Sequence, residues 1–274
     1  MSIGISFEHV AKVFGPKLGT VWPLLDTGLS KAEILARTNH VVAMNDVTLD
    51  IAAGEIFAVM GASGSGKSTL IRLINLLIRP SRGTISVGGQ DLTALDDAAL
   101  RAFRRATFGM VFQGFGLLPH KSVRDNVAFP LRIQGIDAGE RRKRADQWIE
   151  RVGLRDFAAA LPRELSGGMQ QRVGLARALV GDPPVLLMDE PLAALDPITR
   201  RDMQDEILRL QAELKKTVVL ITHDPAEALR LADHLAVMRD GTVVQVGRRD
   251  DVVSRPADDG VAAFVRGFAQ GKGG

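Results

Sequence analysis

Eight consecutive residues, Gly61, Ala62, Ser63, Gly64, Ser65, Gly66, Lys67 and Ser68, fit the spacing G-x-x-x-x-G-K-[ST] in full, and Thr69 follows them. The residue types suit a phosphate chain. Glycines let successive backbone N–H groups turn inward around phosphate oxygens. A helix opening here adds the partial positive charge of its N-terminus. Lys67 brings a full charge to the β- and γ-phosphates, and the Ser68 hydroxyl is placed to coordinate Mg²⁺. A glycine-rich turn with an incidental lysine is the bland alternative. Against it stand the apolar strand Ile56–Met60 before the loop and the apolar-patterned helix Leu70–Ile78 after it, the context a phosphate loop needs.

A second constellation is the apolar run Val185–Met188, which ends in Asp189 and Glu190. Asp189, at the strand's C-terminal end, can reach a metal through water. Glu190, one residue on, points elsewhere and can polarise an attacking water. By itself an apolar run ending in Asp-Glu reads as a cap for the next turn. The phosphate loop is what gives the pair a catalytic reading.

These residues need a scaffold, and the coarse pattern supplies one. Short apolar strands alternate with amphipathic helices, which implies a parallel sheet with crossovers and an α/β fold. Ile56–Met60, Val185–Met188 and Val218–Thr222 have the unbroken apolar character of buried strands. Asp196-Pro197 reads as an N-cap followed by proline at the first helical position, with Met203, Ile207, Leu210 and Leu214 giving that helix a buried face. Asp240-Gly241 between two β-rich runs predicts a hairpin. From about 95 to 162 the chain is helix-rich, with charge blocks at Arg101–Arg105 and Arg141–Arg144, and reads as a helical subdomain inserted into the α/β core of about 1–94 and 163–274. Asp137 and Glu140 have capping-box-like spacing before a helix through Trp148. The Arg141–Arg144 run is either a solvated helix face or a phosphate or lipid patch. A further insertion occupies about 16–40. In it Ser30 and Glu33 are spaced as a capping box, and Leu29 and Ile34 as a hydrophobic staple. The glycine-rich tail Gln270–Gly274 is expected to be disordered.

Composition narrows the classes. The chain has 274 residues, 46% hydrophobic and 24% charged, ordinary for a globular protein with a normal core. The absence of cysteine removes disulfides and thiolate metal sites and fits a reducing compartment. The start, Met1–Val10, lacks a basic n-region and an apolar h-region, and no apolar run reaches the roughly 20 residues that span a bilayer, so a membrane role would come through a partner. A net charge of +3 gives no reason to expect nucleic-acid binding.

Leu165-Ser166-Gly167-Gly168-Met169-Gln170-Gln171-Arg172 resembles the signature motif of ATP-binding-cassette ATPases. Other elements of that family follow in its order: Val111-Phe112-Gln113 resembles the Q-loop, Ala194-Leu195-Asp196 the D-loop, and Ile221-Thr222-His223-Asp224 the switch-histidine loop. The resemblance covers almost the whole chain. It implies a P-loop NTPase (RecA-like) core with a mostly parallel sheet, an N-terminal antiparallel β part, and a single domain over 1–274. It also implies ATP and Mg²⁺ as cofactors and a head-to-tail homodimer that sandwiches two ATP molecules. Ser166, Gly167 and Gly168, opening a helix, would then face the γ-phosphate held by the partner, with Asp196 nearby. The metal would be shared by Ser68, Asp189 and Gln113, and Glu190 with His223 would hold the attacking water. Phe14, in Val13-Phe14-Gly15, aligns with the aromatic that stacks on adenine; most such sites carry tyrosine, and core packing is the other reading. The D-loop reads Ala-Ala-Leu-Asp where the family usually has serine first, so one cross-dimer hydrogen bond is expected to be absent.

Within the family the chain looks closest to the ATPases of importers for glycine betaine, proline betaine and choline. The stretches Gly28–Leu35, Phe112–His120, Arg172–Ala178 and Met203–Gln211 carry that resemblance. It implies transmembrane permease subunits as partners, an extracytoplasmic substrate-binding protein acting indirectly, and a place on the cytoplasmic face of the cell membrane. Some members continue into nucleotide-sensing regulatory modules, and too little sequence follows Phe264–Phe268 here to hold them. Importers for another small solute, such as an amino acid, and exporters share the motifs. A DNA-repair clamp would place long coiled coils between loop and signature, and a small-molecule kinase would have no use for Leu165–Arg172.

Overall fold

The computed structural model describes residues 2–266, so the tail from Gln270 lies outside them. Two sheets make the frame. The first is antiparallel, in the order β2-β1-β4-β5, from β1 (Ile5–Phe14), β2 (Val41–Ile51), β4 (Arg82–Val87) and β5 (Gln90–Asp91). The second has the order β10-β9-β3-β8-β7-β6, from β3 (Ile56–Met60), β6 (Phe108–Val111), β7 (Val185–Asp189), β8 (Thr217–Thr222), β9 (His234–Arg239) and β10 (Thr242–Arg248). Five of its six strands run parallel, and β10 closes the edge as the antiparallel arm of the hairpin. Asp240 and Gly241 both take positive φ, 48° and 68°, as a two-residue turn with right-handed strand twist requires.

The helices are α1 (Trp22–Asp26), α2 (Lys31–Thr38), α3 (Lys67–Ile74), α4 (Asp97–Thr107), α5 (Val123–Ile133), α6 (Ala138–Arg151), α7 (Gly167–Leu179), α8 (Pro197–Leu214), α9 (Pro225–Leu231), α10 (Arg249–Ser254) and α11 (Asp259–Arg266). The middles of the parallel strands are apolar because both faces of the sheet are covered. Phe57, Val59, Val185, Leu187, Val219 and Ile221 point into a core shared with α3 and the antiparallel sheet. Their neighbours Ala58, Met60, Leu186, Met188, Val218 and Leu220 point into a second core under α7, α8 and α9. A third cluster joins Val123, Val127 and Leu131 of α5 with Ala145 and Ile149 of α6, Val173 and Ala176 of α7, and Val180 just after it. Helix α7 thus belongs to two cores at once and ties the helical part to the sheet. Leu100 of α4 packs instead in the first core.

Several local expectations meet their geometry. Asp196 caps α8 through Ile198 and Thr199 N–H, and Met203, Ile207 and Leu210 of that helix are buried. The Ser30–Glu33 capping box is formed in both directions. Asp137 caps α6, but Glu140 turns forward to Arg144 at 2.7 Å instead of back to the cap, so the box is one-sided. Arg141 donates to the Ile136 carbonyl and Arg142 faces Asp146, so most of the basic run is spent on local partners. The helix after the phosphate loop is shorter than its apolar pattern: it stops at Ile74, not Ile78. The Asn75 side chain accepts from Leu77 N–H at 3.1 Å, Leu76 turns to φ 48°, and Arg104 Nε donates to the Asn75 carbonyl at 2.7 Å. A short polar side chain here outcompetes the next helical bond. Leu76 stays buried even so.

Candidate functional site

The strand register decides where the chemistry collects. Met60 pairs with Thr222, Asp189 with Ile221, and Val111 with Met188, so β3, β8, β7 and β6 end together at one edge of the sheet. Gly61, His223, Glu190 and Gln113 are the residues that leave these strands at that edge. The carboxyl edge of a parallel sheet is where ligands seat in such folds, because the loops there open outward and helix N-termini point at them.

A cleft of about 420 Å³ lies at this edge, lined by Ser63, Gly64, Gly66, Lys67, Ser68, Thr69 and Glu190. Of α2 through α9, α3 alone has no capping side chain: serine or aspartate caps every other one. Its first-turn N–H groups therefore lack the usual side-chain acceptor, which an anion can replace. Gly66, at the cap, sits at φ 106°, and a Cβ there would lie 2.7 Å from the Ala43 carbonyl, so only glycine fits. Ser65 is buried, and its hydroxyl has no partner among the described residues. Lys67 is buried too and folds its ammonium onto the Gly61 and Ala62 carbonyls at 2.8 and 2.9 Å. Burial draws its pKa down, while Glu190 and Asp189 pull it back up.

Three side chains meet across the sheet edge. The Gln113 amide donates to Glu190 Oε2 at 3.1 Å, and His223 Nδ1 lies 3.0 Å from the same oxygen. Glu190 itself is held at φ 46°, a backbone conformation that side chains rarely adopt and that aims it off the strand. Its N–H is tied to the Ile221 carbonyl of the next strand at 2.9 Å. Asp189, at the strand end, has its pKa raised by burial and by the Glu190 charge, with Arg72 and Lys67 opposing. The Asp189 carboxylate, the Ser68 hydroxyl and the Gln113 amide carbonyl are hard-oxygen donors of the kind that suits Mg²⁺ completed by phosphate oxygens. No group of three or more His, Asp or Glu side chains that would hold a metal unaided occurs among the described residues.

Behind His223 lies a buried support. Thr222 Oγ1 accepts from Asp224 N–H at 3.0 Å and donates to Glu227 Oε2 at 2.8 Å. Glu227 is buried, its Oε1 has no partner among the described residues, and burial pushes its pKa up to about 7. A carboxyl whose folded pKa lies above its unfolded one holds extra protons in the native state, so stability falls as pH rises from about 4.5 to about 7. Replacing Glu227 by glutamine is expected to stabilise the protein at pH 8 by up to about 3 kcal/mol, and by much less at pH 5. Urea denaturation at the two pH values measures it; a gain independent of pH would contradict the buried-acid assignment.

The remaining sequence candidates fall into a second group. Ser166 caps α7, accepting from Met169 N–H at 3.3 Å, which leaves its own O–H free to donate. A Cβ on Gly168 would lie 2.4 Å from Thr199 Cγ2, and one on Gly167 would lie 3.6 Å from Leu195. The signature turn and Asp196 thus stand together at the starts of α7 and α8, and none of Ser166, Gly167, Gly168 and Asp196 lines the cleft of its own chain. Phe14 does not line it either. It is 43% exposed, with Lys12 over its ring at 4.9 Å, while its ladder partner Val41 does line the cleft. Residues that motif reading did not reach, Lys31, Ala32 and Leu35, also line it. Their helical spacing was visible; the direction of that helix face was not.

Comparison with known proteins agrees with this geometry. The family model described as ABC transporter matches residues 44–193, more than half of the chain. The glycine betaine/proline betaine transport system ATP-binding protein ProV of Escherichia coli (strain K12) is 48% identical over 267 residues, 97% of this chain and 67% of that protein. The trimethylamine N-oxide transport system ATP-binding protein TmoW of Ruegeria pomeroyi is 50% identical over 261 residues, 95% of this chain and 76% of that protein. Among solved structures, the dimeric post-hydrolysis state of the ATP-binding cassette MJ0796 bound to ADP and Pi matches with a TM-score of 0.75 at 33% identity, covering 89% of this chain and 98% of that one. With its phosphate loop, its convergent sheet edge and these relatives, the chain belongs to the ABC transporter family of ATPases.

Proposed function

We propose that this chain is the ATP-hydrolysing motor of an importer for a small solute whose nitrogen is fully substituted, such as glycine betaine, proline betaine or choline. The observation that carries the catalytic half is the meeting of Gln113 and His223 on Glu190 beside the uncapped N-terminus of α3. Lys67 and the N–H groups of Gly64 to Thr69 hold the phosphate chain. Glu190 aligns the attacking water and takes its proton; His223 fixes that carboxylate and contacts the γ-phosphate. Attack forms the new P–O bond and breaks the bridge to the β-phosphate, giving ADP and phosphate. Ser68, Asp189 and the free carbonyl of Gln113 would hold Mg²⁺, which supplies charge neutralisation at the phosphate oxygens.

Ser166, Gly167, Gly168 and Asp196 stand apart from the cleft, and this placement supports the head-to-tail dimer. In it each α7 N-terminus faces the γ-phosphate in the partner's cleft, so hydrolysis removes the group that joins the two copies. No described helix is long and apolar enough to cross a membrane. In this reading coupling runs through permease subunits docked near Gln113–Asn126 on the cytoplasmic side, with an extracytoplasmic binding protein delivering the solute.

The solute class rests on the relatives, since no residue here touches the cargo. Betaines and trimethylamine N-oxide share a nitrogen with four substituents, and both kinds of importer are represented. The test is uptake of labelled glycine betaine, choline and glutamine at raised osmolality, with and without the gene. Loss of betaine or choline uptake alone is expected. Loss of glutamine uptake instead would move the chain to an amino-acid importer and leave the ATPase reading intact.

A further inference from the structure

The 16–40 insertion is packed onto the strands at both of its ends. His40 is buried, with Nδ1 2.8 Å from the Thr38 carbonyl and Nε2 against the Pro16 carbonyl, so the ring sits between the two ends of the insertion and its one N–H donates to one of them. Gly15, at φ 143°, makes room for it: a Cβ there would lie 2.3 Å from His40 Cδ2. Val21 and Ile34 pack on Val13 and Val42, and Arg82 stacks on Trp22 at 3.8 Å. So fixed, α2 turns one face, Lys31, Ala32 and Leu35, into the cleft that holds Lys67 and Ser68.

Lys31 is the unusual member. It occupies the first position of α2, where the helix's own positive end disfavours a cation. It is half-buried, and that burial draws its pKa down, with Asp240 opposing. It makes no ion pair among the described residues, and its hydrogen bond is a long one, 3.4 Å to the Ala43 carbonyl. That carbonyl is the one a Cβ on Gly66 would strike, so the ammonium stands beside the phosphate loop at its glycine end. A partly desolvated cation that faces a cleft, with the Asp240 charge nearby but no carboxylate in contact among the described residues, is matched by an anion in the cleft. Leu35, 45% exposed one turn further along, offers an apolar surface at the same mouth.

We propose that α2 forms one wall of the nucleotide site, with Lys31 as a second cation for the phosphate chain beside Lys67 and Leu35 as an apolar seat for the nucleoside. This rests on the reading of the cleft as the nucleotide site. It gives the insertion a role in setting nucleotide affinity, separate from the chemistry at Glu190.

The test is calorimetric titration of the full chain with ATP and, separately, with inorganic tripolyphosphate. Lys31→Met is expected to weaken both about tenfold, and Lys31→Arg to restore most of the loss. Leu35→Ser is expected to weaken ATP several-fold and leave tripolyphosphate unchanged, because only ATP carries a nucleoside. Arg37→Ala, on the same helix and exposed, serves as the control for helix integrity and should bind like the parent. If Lys31→Met and Leu35→Ser both bind ATP normally while Lys67→Ala does not, the wall is wrong and the cleft stands. If Lys67→Ala also binds normally, the cleft reading falls and the proposal with it. Equal losses for both ligands in Leu35→Ser would overturn the seat for the nucleoside.

Discussion

Glu190→Gln is expected to bind ATP as tightly as the parent and to hydrolyse it at least about a hundredfold more slowly. The substitution keeps the shape of the side chain and its hydrogen-bonding reach toward Gln113 and His223, which lie 3.1 and 3.0 Å from the carboxylate. It removes only the basicity that takes a proton from water. Nucleotide affinity, which we assign to Lys67 and the α3 N-terminus, should therefore survive. Phosphate release measures turnover, and calorimetry measures binding. Size-exclusion chromatography with ATP should show a dimer that persists, since the γ-phosphate is no longer removed. Turnover at the parental rate would place the proton acceptor elsewhere, and among the described residues Asp189 would be the next to test.

Lys67→Ala is expected to lose about 10- to 100-fold in affinity for ATP, the size of a charge-assisted hydrogen bond to phosphate. The lysine is buried at the floor of the cleft, and its ammonium is now engaged by two loop carbonyls, Gly61 at 2.8 Å and Ala62 at 2.9 Å. Those carbonyls do not neutralise it, so a phosphate oxygen competes well for the charge. The loss should extend to ADP, which separates this variant from Glu190→Gln. Unchanged binding of both nucleotides would contradict the phosphate cradle.

The two variants probe the parts of the site that the sequence exposed to different degrees. The phosphate loop could be read residue by residue because its chemistry is local: glycines, lysine and hydroxyl act within one turn of chain. The capping box at Ser30–Glu33 and the hairpin at Asp240-Gly241 were legible for the same reason. Helix α3 is shorter than its apolar pattern, because the Asn75 side chain and the distant Arg104 together end it at Ile74. Phe14 aligned with a base-stacking aromatic by its place in the chain, yet the cleft is lined by its cross-strand partner Val41 and by α2. An insertion of that length breaks the relation between sequence distance and distance in space.

The sequence by itself determined the α/β class, the phosphate loop and the order of the motifs, because each depends on residues a few positions apart. Only the tertiary structure decided that Gln113, Glu190 and His223 share one oxygen. Gln113 and Glu190 lie 77 positions apart, and they meet because β6, β7 and β8 adjoin in the sheet and end in register. It also decided that the insertion faces the cleft beside Lys67, with a buried histidine ring set between the Pro16 and Thr38 carbonyls. Strand order and the seating of that ring are long-range pairings. Their energy comes from burying surfaces far apart in the chain, and no short window of residues records which surfaces those will be.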